Sequence, residues 1–239
     1  MASHVKSKTA VVTGGSRGIG LAIAAALLDE GANVAVSGLS QEHLDSARRT
    51  LARHEHRLET VRADVRQRAD VDRLIGAAVS RFGGVDILVN NAGVGAFANV
   101  ADMSDADWHR VIATNLTGVF FCCHAAIPHM RQRGGGWIIN ISSLAGKNSF
   151  AGGGAYCASK AGLNAFSESL MQEVRHDGIR VSYVMPGSVA TEFSRGGSSG
   201  AEWKLTSADV AQVVMDLLAH PDRSLPSRVE LRPSRPPKK

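Results

Sequence analysis

Runs of five to seven residues rich in Val, Ile and Leu recur along the chain: "TAVVT", "NVAVS", "LETVRA", "DILVN", "WIINIS" and "IRVSYVM". Between them lie longer stretches in which apolar positions return every three or four residues, at 19 to 30, 41 to 53, 69 to 82, 105 to 133, 155 to 176 and 208 to 220. A final run, "RVELR", follows the last of these. The rhythm is a repeated strand and helix. The short runs show little alternation of polar and apolar positions, which predicts strands buried on both faces. That pattern belongs to a doubly wound parallel sheet of about seven strands with helices on each side. Helix stops fall where this scheme needs them, at Gly31, at Gly83 and Gly84, and at Gly178.

A chain of 239 residues with 44% hydrophobic positions can bury one large core, so residues 1 to 231 are expected to form a single domain. Residues 232 to 239 read as a basic, proline-rich tail, and "EFSRGGSSGAEWKL" as a mobile loop. The formal charge of +5 changes little, because Arg232, Arg235, Lys238 and Lys239 supply four of the positive charges. With a nearly neutral body and a solvated tail, no nucleic-acid partner is expected. No basic head with an apolar segment opens the chain, and no unbroken apolar run reaches the roughly 18 residues of a membrane span. A cytoplasmic protein without membrane contact is the expectation. Cys122, Cys123 and Cys157 lack metal-ligand spacing, and the nine histidines are scattered, so no metal site is expected.

The first predicted strand runs into "TGGSRGIG", which sets Gly14, Gly18 and Gly20 at the entrance to a helix. Glycines there let the backbone approach a diphosphate, and the unpaired N–H groups of the helix start favour its charge. A tight turn without ligand would use the same residues, and the glycine spacing departs from G-x-G-x-x-G. Further along, Tyr156, one of two tyrosines, stands four residues before Lys160. On a helix the two share a face, and a nearby ammonium favours the phenolate, lowering the phenol pKa from about 10 toward neutrality. A surface pair is the alternative.

"TGGSRGIG", "NNAG" at 90 to 93, "YCASK" at 156 to 160 and "PGSVAT" at 186 to 191 stand in the order and at the distances of the short-chain dehydrogenase/reductase family. The chain resembles that family in its standard short form over essentially its whole length, and within it the 3-oxoacyl-(acyl-carrier-protein) reductases. The resemblance implies a Rossmann-type fold and hydride transfer between a nicotinamide cofactor and a carbonyl or secondary alcohol. It implies that Gly14, Ser16, Arg17, Gly18, Ile19 and Gly20 surround the pyrophosphate and adenosine, with Asp64 and Val65 at the adenine. Asn91, Ala92 and Gly93 would border the adjoining ribose, and Pro186, Gly187, Val189 and Thr191 the nicotinamide. Asp64 could instead cap the next helix, and Arg17 could be a plain surface charge. Ser143, at the end of "WIINISS", matches the family's substrate-orienting serine, with Ser142 as its neighbour. Tyr156 matches its acid/base, and Lys160 the residue that favours the phenolate and binds the nicotinamide ribose. Asn115 matches an asparagine that interrupts a helix and holds a water beside the lysine; an ordinary buried amide is the other reading.

An acidic residue at the end of the second strand would repel a 2′-phosphate. Gly38 stands there, while Arg17, Ser37 and Ser40 offer a cation and hydroxyls, which favours NADP over NAD. Leu39 departs from the arginine or threonine common in NADP-using relatives. Gly95, Phe97, Ala145, Phe150, Gly152, Gly153, Met185, Phe193 and Trp203 are expected to face the substrate, a carbonyl compound, an alcohol or an acyl thioester. Pairing through the helices at 105 to 133 and 155 to 176 is expected to give a homodimer or homotetramer. A catalytically silent dinucleotide-binding regulator would be expected to lack Ser143, Tyr156 or Lys160, and all three are present.

Overall fold

The computed structural model describes residues 4–191 and 202–237. Most of the glycine- and serine-rich segment, Phe193 included, and the last two lysines lie outside the described residues. Seven strands form the sheet: β1 Thr9–Val12, β2 Asn33–Gly38, β3 Leu58–Arg62, β4 Ile87–Asn90, β5 Gly136–Ile141, β6 Ile179–Pro186 and β7 Arg228–Leu231. All neighbours are parallel, in the order β3-β2-β1-β4-β5-β6-β7. The chain winds outward from β1 through β2 to β3, then crosses back to place β4 on the other side of β1. The carboxyl ends of β1 and β4 therefore diverge into a crevice, where open α/β sheets take their ligands.

Consecutive strand residues supply opposite cores. Ala10 and Val12 join Val34 and Val36 under α1 (Gly18–Asp29) and α7 (Ser207–Leu218). Val11 and Ala35 join Leu88 and Ile138 under α3 (Arg68–Phe82), α5 (Gly118–Gln132) and α6 (Gly154–Val174). Side chains that alternate across a strand while both faces are covered are mostly apolar, which is why the runs show little polar alternation. Gly31, Gly83 and Gly178 take φ of +90°, +84° and +71° at helix ends, the left-handed conformation that suits glycine.

Three helices differ from the sequence expectation. α2 (Gln41–Thr50) stops short of residue 53, and the chain continues as a 3₁₀ turn, Ala52–Arg57. Arg57 ties that turn to the end of α1 through the carbonyls of Leu28 and Ala32, at 2.8 and 3.0 Å. α6 likewise ends at Val174 and passes through a 3₁₀ turn, Arg175–Asp177, to Gly178. The stretch near 105 to 133 is two helices, α4 (Asp105–Ile112) and α5, joined by a π-turn at Ala113–Thr117. By length and composition Asp105–Gln132 is apolar enough to cross a membrane, contrary to the sequence reading. Polar residues such as Asn115 and His124 interrupt it, so no unbroken apolar run reveals the average. Its residues Val119, Cys122, Cys123, Ala126 and Met130 are buried in the core beside α3 and α6.

Candidate active site

The glycine loop and the turn after β4 are built into each other. Gly14 turns the chain at φ +62°, and a Cβ there would lie 2.9 Å from the Cα of Ala92. Gly20 has no room either, because a Cβ would overlap the Gly14 carbonyl oxygen and come within 2.5 Å of Asn91 Nδ2. Asn91 Nδ2 donates to the carbonyls of Thr13 and Gly14, both at 3.0 Å, and Thr13 Oγ1 accepts from the N–H groups of Asn91 and Ala92. The two motifs, more than seventy residues apart, are thus halves of one backbone cradle. α1 leaves this cradle with no side-chain cap and no acidic residue in its first turn, a helix start suited to an anion.

A cavity of about 1060 Å³ opens above it. Every position expected to hold the cofactor borders this cavity except Gly20, which lies beneath Gly14. Val189 and Thr191 come across the start of α1, with the Thr191 methyl 3.7 Å from a Cβ built on Gly18. Ser37 Oγ is buried at the cavity wall without a hydrogen-bond partner in the structure. Such an orphaned hydroxyl is costly in a finished site and suits one that takes a polar ligand. A Cβ on Gly38 would lie 2.8 Å from Ser16 Oγ, so an acidic side chain there would have to displace Ser16. Ser40 Oγ accepts from His43 N at 3.3 Å and caps α2, which leaves its O–H able to donate to a ligand. Leu39 is 58% exposed beside them.

Asp64 does not cap α3, whose first residue follows Gln67. Its carboxylate instead takes a bidentate hold from Arg66, with contacts of 2.6 and 3.0 Å. That hydrogen-bonded guanidinium, helped by the Arg66 N–H, keeps the Asp64 carboxyl below its ordinary value despite burial. Arg66, His43, Arg110 and Lys204 also line the cavity and were not anticipated. "DVR" at 64 to 66 held the signal for Arg66; the others reach the cavity only through folding.

At the far end of the cavity β5 meets α6. Ser142 turns away, donating 2.5 Å to Asn164 Oδ1, whereas the Ser143 side chain hydrogen-bonds the Tyr156 hydroxyl. Strand alternation therefore selects Ser143 from the pair. One helical turn on, Lys160 is buried and donates 2.8 Å to the Ile141 carbonyl, with Nζ 5.9 Å from the centre of the Tyr156 ring. Burial pushes its ammonium down to about 8. Burial also pushes the Tyr156 phenol above its ordinary value, although the Ser143 hydrogen bond opposes this. The expected lowering of the phenol pKa by Lys160 is thus absent here. A desolvated ammonium almost 6 Å from the ring does not outweigh the loss of water around the phenolate.

Asn115 sits in the π-turn, fully buried, and does not border the cavity. Its Oδ1 accepts from Val94 N at 2.8 Å, while Nδ2 donates to Val94 O and Ser159 Oγ at 2.9 and 3.0 Å. The site around Gly93 lies between it and the lysine: a Cβ there would be 3.5 Å from Asn115 Oδ1 and 3.8 Å from Lys160 Nζ. Asn115→Leu is expected to destabilise the fold by about 2–4 kcal/mol, since both Val94 backbone groups would be left unpaired, as a urea titration would show. Met185, expected to face the substrate, is buried against Asn164 behind the sheet end, and Ala145 is nearly so. Cys122, Cys123 and Cys157 are buried free thiols, and burial pushes the Cys122 thiol up to about 12. Among the described residues no cluster suited to a metal ion occurs.

Residues 8–201 match the family model for the short chain dehydrogenases. The 3-oxoacyl-[acyl-carrier-protein] reductase FabG of Chlamydia pneumoniae is 36% identical over 220 residues, covering 88% of this chain and 89% of that protein. An uncharacterized oxidoreductase of Staphylococcus epidermidis is 32% identical over 231 residues, covering 97% and 99%. A metagenomic short-chain oxidoreductase, solved in complex with NADP, superposes with a TM-score of 0.85 at 37% identity, covering 98% of this chain and all of that one. A parallel sheet whose split end carries the glycine cradle, and whose far end carries Ser143, Tyr156 and Lys160, agrees with these matches: the chain is an oxidoreductase of the short-chain dehydrogenase/reductase family.

Proposed function

We propose that the protein reduces a ketone or 3-oxoacyl carbonyl to the secondary alcohol with NADPH. The observation that carries this reading is the hydrogen-bonded pair of hydroxyls, Ser143 and Tyr156, at the end of a cavity whose other wall suits a phosphorylated dinucleotide. The orphaned Ser37 hydroxyl, the Ser40 O–H, Arg17 and the absence of an acid at Gly38 fit the 2′-phosphate of NADP. The relative solved with NADP supports the same choice. When bound, the cofactor supplies a hydride to the carbonyl carbon.

The chain's own residues do the rest. Tyr156 donates its phenolic proton to the carbonyl oxygen as the new C–H bond forms, so carbon gains a hydride, oxygen gains a proton, and the alcohol leaves. Ser143 donates a hydrogen bond to the same oxygen and fixes it against the phenol. Lys160, buried one helical turn beyond Tyr156 at the cavity wall, holds the cofactor ribose. Asn115 keeps the 94 loop and the α6 turn in register, and with it the path by which Tyr156 regains a proton from solvent. Residues 1 to 231 act as one catalytic domain with a basic tail. The active form is a cytoplasmic homodimer or homotetramer paired through α4, α5 and α6, and Trp108 and Phe120 are exposed on the first two.

In a fluorescence titration the protein is expected to bind NADPH more tightly than NADH; the reverse order would sink the cofactor assignment. Because the free Lys160 ammonium is depressed to about 8, NADPH affinity should be constant below that pH and weaken as pH rises through it. Lys160→Met should remove that limb.

A further inference from the structure

Beyond the Tyr156 ring the cavity gives way to an open apolar face. The Phe97 ring meets that of Tyr156 edge to face, 5.6 Å between centres, and lies 6.0 Å from that of Phe150. Phe97 and Phe150 are 40% and 50% exposed, and Val100 is 85% exposed. Three rings therefore run outward from the reacting phenol, and core packing does not account for the outer two.

The glycine run at 152 to 154 builds this face. A Cβ on Gly153 would lie 2.6 Å from a Phe150 ring carbon, so the ring rests directly on the Gly153 backbone. Gly152 turns the chain at φ +75°, and the Gly153 N–H closes the turn on the Phe150 carbonyl at 3.1 Å. A Cβ on Gly154 would stand 3.7 Å from the Val100 side chain, so the loop after β4 comes close over the start of α6. Missing side chains thus fold Phe150 toward Phe97.

A carbonyl oxygen held by Ser143 and Tyr156 leaves two substituents to be placed. Lys160 and Ile141 border the cavity assigned to the cofactor, and Phe97 flanks Tyr156 beyond it, so one substituent leaves across Phe97. A flat ring there meets aromatic faces and edges, each pair worth roughly twofold to tenfold beyond the area it covers. We infer that Phe97 and Phe150 form a substrate wall that selects carbonyl compounds bearing an aromatic substituent over saturated ones of the same size. The inference rests on the reductase reading and adds the substrate class to it.

The test uses acetophenone and cyclohexyl methyl ketone, which share a skeleton and differ in aromaticity. With NADPH and the full chain, kcat/KM for both is measured in wild type, Phe150→Leu and Phe97→Leu. Comparing the ratio of the two ketones between proteins cancels their intrinsic reactivities. The aromatic-to-saturated ratio is expected to fall roughly tenfold in each leucine variant, mainly through KM, because leucine keeps the apolar contact and removes the ring. Gly153→Ala, which displaces the Phe150 ring without removing it, should lower the ratio in the same direction if a leucine variant fails to fold. An unchanged ratio overturns the wall. Should wild type reduce neither ketone, ligand-observed NMR titrations of both against the NADP⁺-loaded protein decide. Tighter acetophenone binding that is lost in Phe150→Leu sustains the wall while the reductase reading falls; equal binding overturns the wall.

Discussion

Tyr156→Phe is expected to lower the turnover of carbonyl reduction by roughly a hundredfold to ten-thousandfold, the range typical of a lost general acid, while NADPH binding is retained. The substitution keeps the ring and its edge contact with Phe97 at 5.6 Å and removes only the oxygen that Ser143 contacts. Loss of activity then reports the proton and not the packing. The direction of the phenol shift also sets a pH signature. Because burial raises the Tyr156 pKa, the proton donor stays loaded through neutral pH. Reduction should be limited by this group only on the alkaline side, where the phenol begins to ionise, and alcohol oxidation should rise over the same range. Steady-state rates against pH in both directions check this. Turnover in the phenylalanine variant comparable to wild type would sink the mechanism.

Gly20→Val is expected to abolish NADPH binding and to destabilise the fold by about 3 kcal/mol, the upper part of the usual range for overpacking. The new side chain would enter the Gly14 carbonyl and the Asn91 amide, which together join the glycine loop to the turn after β4. Relief would require the two motifs to separate, and with them the wall of the dinucleotide cavity. Gly76→Ala is the matched control, since a Cβ there meets nothing within 4 Å and alanine favours the surrounding helix. Urea midpoints and NADPH titrations of both variants separate a general glycine effect from the local one. A Gly20→Val protein that binds NADPH as wild type does would show that the cradle is not the binding element.

Much of this site is legible in the linear chain because each motif sits at a strand end. Apolar runs without alternation give the parallel sheet, and such a sheet presents its strand ends together whatever the loops between them. Gly14, Asn91, Ser143 and Thr191 could therefore be placed around one crevice before any coordinates. The four-residue spacing of Tyr156 and Lys160 likewise needs only a helix. Less was legible where burial sets the outcome. The spacing of phenol and ammonium predicts a lowered tyrosine pKa, but the depth at which α6 packs raises it and depresses the lysine instead.

Side-chain direction was the other hidden quantity. The family spacing pointed to Ser143 with Ser142 as its alternative, and only the fold shows the chain just beyond β5 sending Ser142 to Asn164 and Ser143 to Tyr156. Met185 looked like a substrate contact from its place at a strand end, yet it points into the buried side. Gly152 and Gly153 were expected to face the substrate, but that the Phe150 ring lies on the Gly153 backbone is visible only in the fold. Sequence alone determined the family, the sheet and the order of the motifs, because these depend on periodicity and spacing along one chain. The tertiary structure decided the proton affinities, the choice between neighbouring side chains and the aromatic face beyond the phenol, because these depend on how closely distant segments approach and how much water they exclude.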